Sequence, residues 1–226
     1  MPPIPRRGRP PRIDRARIVA VARDMDPATL TMRAVAEQLG VDRKALNYHV
    51  TDRDGLLELV ARETLSAALH AFEPPAGGAW PEMVRAFAAQ TRAGMIEVGA
   101  HFDYVRFPLD GGATALAPAE QVLRALLDAG FREDEAARVL GMLWELMYAS
   151  ARNAVLSARH GGHPQVTELR RLLGETPPDT LPSIRRLSDT VAGVDDEQFA
   201  FDLEVVIAGL GQLLARRRLP APPAAG

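Results

Sequence analysis

Apolar positions recur at helical spacing along most of the chain, and no alternating apolar–polar stretch of strand type interrupts them. From Asp14, the residues Ile18, Val21, Ala22 and Met25 mark a first helix, which DPAT (26–29) closes. Thr31 is a suitable N-cap for a second helix to Leu39, broken by Gly40. Asp42 caps a third, to about Val50. Asp52 caps a fourth, whose Leu56, Leu59, Val60, Leu65, Leu69 and Phe72 carry it to about residue 72. PPAGG (74–78) predicts a loop. A fifth helix starts near Trp80, with Pro81 at a permitted first-turn position, and runs to about Val98. HFDYVRFPLDGGA (101–113) predicts a short helix or turn ended by Pro108 and Gly111–Gly112. Helices follow at about 115–129, closed by Gly130, and at about 133–158. Residues 160–182 are polar and rich in Gly and Pro, so much of this stretch is expected to be mobile. Two last helices are predicted at about 182–192 and 195–217. The Pro- and Arg-rich arm 1–12 and the tail 219–226 cannot build a core and are expected to be disordered. The expected fold is all-α.

Composition agrees with that pattern. The chain is 47% hydrophobic, mostly Ala, Leu and Val, and only 5% aromatic. Ala and Leu favour helix. The absence of cysteine excludes disulfides and thiolate metal sites. No apolar run follows the basic N-terminus, so a secretory signal is not expected. No run of about 18 apolar residues suggests a membrane-spanning helix. The expected location is cytoplasmic. Charge is unevenly placed: residues 1–53 hold 11 basic and 6 acidic residues, net +5, and residues 54–226 hold 16 and 23, net −7. A basic end on an acidic body suggests that one end meets nucleic acid.

The stretch TMRAVAEQLGVDRKALNYHV (31–50) fits that end. Two short helices that cross steeply need a small residue where they touch, a Gly at positive φ in the turn, and a shared apolar face. Ala36, Gly40 and Leu46 meet this at spacings of four and six, with Val35, Leu39 and Val41 completing the buried side. The motif is a helix-turn-helix. Arg43, Lys44, Asn47 and Tyr48 are left on the outer face of its second helix. Arg or Lys can donate to guanine O6 and N7, Asn can pair with adenine, and Tyr can meet a thymine methyl or a phosphate. Thr31, Arg33, His49, Thr51 and Arg53 lie near helix N-termini, where phosphates are favoured. In the arm, RRGRPPR suits either a narrow minor groove or phosphates alone.

The segment from Ile18 to Val60 resembles the N-terminal DNA-binding domain of the tetracycline-repressor (TetR) family. The helix before the motif, the Leu30–Thr31–x–Arg33 opening, the Leu39–Gly40–Val41 turn, His49–Val50 and the DRDGLL start of the fourth helix carry the likeness. LLDAGF (126–131) and DDEQFAFDLEVVIAGLGQLL (195–214) resemble the C-terminal domain of the tetracycline-repressor branch. Asn47 departs from the family, which usually has Tyr directly after the residue matching Leu46, so an operator cannot be borrowed from relatives.

The resemblance implies a three-helix reading head (13–53) and a larger helical domain (54–218) that binds an effector and dimerises. It implies a homodimeric transcription repressor on a pseudo-palindromic DNA operator, released by a small-molecule effector; no cofactor is expected. On the last helix Phe199, Leu203, Val206, Leu210 and Leu213 repeat 4-3-4-3, a seam suited to a partner helix, with Gly209 and Gly211 permitting close approach. The helix at 133–158 is apolar nearly all round and is expected to be buried on several sides. Expected effector-pocket residues are Leu69, Phe87, Thr91, Phe102, Val105, Phe107, Trp144, Tyr148 and Arg152. Glu145, Tyr148 and Arg152 share one helical stripe. Aligned without gaps from Trp80, the drug- and magnesium-binding positions of tetracycline repressors fall on Leu69, Phe87 and Val105. These cannot coordinate a metal, so a hydrophobic or aromatic effector is expected. His101-x-Asp103 and His160-Gly-Gly-His163 do not make a catalytic or metal constellation, and no nucleophile elbow or phosphate loop is present, so no enzyme is expected. The alternatives are an effector-independent regulator and an architectural DNA-binding protein.

Overall fold

A computed structural model describes residues 13–105, 112–190 and 196–218. The arm, the tail and Phe107 fall outside these residues. The described residues form ten α-helices and one 3-10 turn, with no strand among them: α1 (Arg15–Ala22), α2 (Met32–Leu39), α3 (Arg43–Leu46), α4 (Arg53–His70), α5 (Trp80–Val98), the 3-10 turn Gly99–Tyr104, α6 (Gly112–Ala129), α7 (Glu133–His160), α8 (Pro164–Glu175), α9 (Pro182–Thr190) and α10 (Asp196–Arg218).

Two buried clusters organise them. The first gathers Ile13, Ile18, Ala22, Leu30, Met32, Val35, Ala36, Leu46 and Val50 against the first two turns of α4, through Leu56, Leu57, Leu59 and Val60. The second starts one residue later, at Ala61, and takes in α5, α6, α7 and the inner face of α10. Helix α4 therefore serves both cores. In the second cluster α5 is central and packs on α4, α6 and α7. Its approach to α4 depends on Gly94: a Cβ there would meet the Ala68 Cβ at 2.4 Å.

Polar contacts fix α10 at three heights. Buried Arg92 on α5 donates its Nε–H to Ser150 Oγ on α7 (2.8 Å) and lies 4.7 Å from the Phe199 ring centroid. Its NH2 group is 2.8 Å from the Asp196 carboxylate, an ion pair whose angle falls short of a hydrogen bond. Arg85 on α5 forks onto Glu204 at 2.6 and 2.8 Å. Arg217 pairs with Glu135 at the far end.

Residues 160–182 correct the expected mobile stretch. Most of it is α8. His163 caps that helix by accepting from the Gln165 N–H, with Pro164 in its first turn. Leu173 is buried, and the Arg185 guanidinium donates to the carbonyls of Leu173, Thr176 and Pro177. A capping side chain from the next helix supplies the order that local composition does not advertise. Helix α10 corrects another expectation: it contains a window of mean hydropathy 1.4, long and apolar enough to cross a membrane by composition alone, of which 28% is buried. Its inner face packs on α5 and α7 as a core helix does.

Candidate functional site

Local chemistry makes the α2–α3 corner rigid. Gly40 sits at φ +66°, in the left-handed region that disfavours a side chain. Its N–H donates to Glu37 O (3.1 Å) and that of Val41 to Ala36 O (3.0 Å), which ends α2 in a Schellman motif. Ala36 and Leu46 are buried where the helices touch. Asp42 Oδ1 accepts from the Lys44 N–H at 2.7 Å and starts α3. Helix α3 is one turn long, shorter than the expected run to Val50. The amides of His49 and Val50 both return to the Leu46 carbonyl, and Val50 turns inward to the core.

The side chains expected to read bases stand clear of the protein. Arg43, Lys44 and Asn47 are exposed, and Tyr48 is 90% exposed. An aromatic ring that open gains nothing in the isolated chain. His49 is half-buried. Beside α3, the N-terminal ends of α2 and α4 enclose a cleft of about 260 Å³ lined by Thr31, Arg33, Arg43, Thr51 and Arg53, with Met32 and Asp52. Five residues separate in sequence thus share one basic concavity. Arg33 also donates to Glu37 at 2.7 Å, but the pair is exposed and costs little to open.

Arg53 lines the cleft and also has partners within the protein: its Nε donates to Leu30 O (2.9 Å) and its NH2 to Pro27 O (2.5 Å), and its NH1 lies 3.6 Å from Asp54. The guanidinium ties α4 to the α1–α2 loop. Sequence spacing shows that Arg53 is near a helix start, not that two loop carbonyls already occupy it.

The expected effector residues divide. Leu69, Phe87, Thr91 and Phe102 are buried, all but Thr91 within the second cluster, while Val105 and Trp144 are half-buried. Tyr148 is 37% exposed, with its ring centroid 4.9 Å from that of Phe102. Arg152 and Glu145 are exposed, so the stripe they share with Tyr148 lies on the outside of α7. That helix is buried along one face, at Ala136, Val139, Leu143, Met147, Ser150, Ala151 and Val155, not on several sides.

The expected seam on α10 is also corrected. Phe199, Leu203 and Leu210 are buried inside the chain together with Ile207 and Leu214; they face α5 and α7 and are not open to a partner. Val206 is half-buried and Leu213 exposed. The open apolar stripe is Phe201, Val205, Gly209 and Leu213, with free space above Gly209. Both stripes fit a helical period, and only the packing of the body decides which one turns inward. Beside the open stripe is an apolar groove of about 200 Å³, lined by Phe131, Val139, Met142, Leu210 and Leu213 with the stems of Glu135 and Arg138.

Sequence reading missed the joint between head and body. Arg23 at the end of α1 donates to Glu97 near the end of α5 at 3.1 Å. Tyr104 packs on both clusters. His101 is 2% exposed with its Nε2 unpartnered, and burial, reinforced by the Arg159 charge, holds it below the usual imidazole range against an opposing pull from Asp26. Asp103, two residues on, is exposed, so the two do not form one site. His163 is spent on capping α8 and lies 3.2 Å from Asn153 Oδ1.

Known proteins share this arrangement. Residues 73–214 match the family described as "Tetracyclin repressor-like, C-terminal domain". The HTH-type transcriptional repressor DrrR1 of Streptomyces coeruleorubidus is 26% identical over 97% of this chain and 85% of its own. A possible TetR family transcriptional regulator from Streptomyces coelicolor A3(2) superposes with a TM-score of 0.73 at 24% identity, over 88% of this chain and all of that one. ActR from S. coelicolor, solved in complex with actinorhodin, superposes at 0.65 with 24% identity, over 88% and 95%. With its helix-turn-helix head and matching body, the chain belongs to the tetracycline-repressor (TetR) family of transcription regulators.

Proposed function

We propose that the protein is a homodimeric transcriptional repressor that binds a pseudo-palindromic operator through two heads and is released by a small hydrophobic or aromatic effector. The observation that carries this reading is the outward face of α3, where Arg43, Lys44, Asn47 and Tyr48 stand in solvent beside the basic cleft. In the proposed complex α3 enters the major groove, and Thr31, Arg33, His49 and Thr51 meet the flanking phosphates. The head comprises residues 13–53 and the effector and dimer domain residues 54–218.

One short reading helix carries little sequence information, so a second copy is expected about 34–36 Å along the duplex. The open stripe Phe201, Val205, Gly209 and Leu213, with Met142 across the groove, supports a four-helix junction of α7 and α10 with their partners. DrrR1 is named a repressor and ActR binds actinorhodin, which supports the repressor and effector parts of the reading. The close packing of Leu69, Phe87 and Phe102 favours the second reading, a regulator that needs no effector. If an effector enters there, it must stabilise an opened core that binds DNA less well, and DNA must weaken effector binding by the same factor.

Sedimentation velocity of the protein alone and on its own upstream DNA, with and without a panel of aromatic compounds, tests this. A dimer that leaves DNA when one compound is added is the expected result. A monomer on DNA, or a dimer that no compound displaces, contradicts the dimer or the effector part respectively.

A further inference from the structure

A further cavity lies in the body, away from the helix-turn-helix corner. It is an open cleft of about 650 Å³ where the loop before α5 faces the last turns of α6. Pro74, Pro75, Trp80 and Met83 form its apolar wall. Trp80 is held edge-on against Phe131, with ring centroids 5.4 Å apart, so its position is set before any ligand arrives. The opposite wall presents Gln121, Arg124 and Asp128. Gln121 Oε1 is buried and has no hydrogen-bond partner, a state that native structures rarely leave unanswered. Arg124, exposed on the same wall, pairs loosely with Glu120 at 3.6 Å, whereas Asp128 has no ion pair among the described residues. Both Gln121 and Asp128 lie on α6, and the C-terminal end of that helix at Ala129 adds partial negative charge on the same side.

We infer that this cleft is a binding site for a planar aromatic amine in its cationic form. The ring lies on Trp80, where a cation gains from the indole face. An N–H donates to Gln121 Oε1, and the positive charge faces Asp128. An aromatic surface, an orphan acceptor and a carboxylate without an ion pair meet in this one cleft. The inference does not depend on the repressor reading, because the cleft binds whether or not occupancy affects DNA. The competing occupant is an anion at the N-terminus of α5, where Ala79 provides no side-chain cap.

Proflavine, a fluorescent diamino cation, serves as the probe, titrated by anisotropy with the full chain in the absence of DNA. The anionic 8-anilinonaphthalene-1-sulfonate is the opposing probe. Saturable binding of proflavine, one per chain, is expected to weaken about tenfold or more in Asp128→Asn and in Gln121→Leu, with Asp179→Asn as an unaffected control carboxylate. Unsaturable binding, undiminished binding in both cleft variants, or tighter binding of the anionic probe would overturn the assignment. The same variants, tested on upstream DNA, separate the two readings: DNA binding that persists without proflavine binding removes the cleft proposal alone.

Discussion

The head and the body are held together by different chemistry. In the head each helix begins at a side-chain cap, with Asp14, Thr31, Asp42 and Asp52 accepting from Arg17, Ala34, Lys44 and Gly55 N–H respectively. The helices are short, and turn geometry sets their crossing. In the body, α5 and α7 start without a capping bond of Ser, Thr, Asp or Asn type, and order comes from long helices packed around Val84, Leu126, Leu143 and Met147. The contrast teaches that the helix-turn-helix surface depends on a few local backbone solutions, whereas the body depends on volume. A head of the first kind can present Tyr48 and Lys44 rigidly with a small core. A body of the second kind can be repacked by a ligand.

The largest expected effect breaks the body. Leu143→Ala removes a fully buried side chain and is expected to cost about 2–5 kcal/mol, read as a lower urea midpoint. A cost below about 0.5 kcal/mol would mean that the core there is already loose. Next, Lys44→Ala is expected to lose about 1–3 kcal/mol of operator affinity and to relax one base position, while the unfolding midpoint stays unchanged. Arg53→Ala sharpens the comparison by doing the reverse. It frees the Leu30 and Pro27 carbonyls, so head stability is expected to fall and DNA binding to weaken for every sequence alike. Weaker binding of every sequence with unaltered stability would mean that Arg53 acts on a phosphate and not through the loop. Gly40→Ala forces a side chain into left-handed backbone and is expected to cost about 1–2 kcal/mol, confined by amide exchange to α2 and α3.

The smallest effect is at the joint. His101 is held below the usual imidazole range, so between its folded and ordinary values the unfolded chain binds the extra proton. Its contribution is present above the ordinary imidazole range and is lost as the pH falls toward its folded value. The melting temperature is therefore expected to drop on going from pH 7.5 to 5.5, and by less in His101→Gln. Equal drops would remove His101 from the account.

The same contrast explains what could be read in advance. Thr31, Gly40, Asp42 and Asp52 are local signals, legible from the residues a few places away, and the head followed from them. The inner face of α10 is not local. The stripe of Phe199, Leu203 and Leu210 and that of Phe201, Val205 and Leu213 both fit a helical period, and three-dimensional packing against α5 and α7 chooses between them. Arg53 was legible as a cation near a helix start but not as a partner of Pro27, which lies 26 residues earlier. The order of α8 depends on Arg185 from the next helix, again outside any local window.

In the proposed function the outward face of α3 reads a particular sequence. A fluorescence-anisotropy titration at one fixed salt concentration, comparing the DNA upstream of the protein's own gene with a shuffled duplex of equal composition, tests it most directly. The upstream DNA is expected to bind at least about 10³-fold more tightly, and Lys44→Ala to narrow the gap. Equal affinity for the two duplexes, in wild type and variant alike, would contradict it and favour an architectural DNA-binding protein.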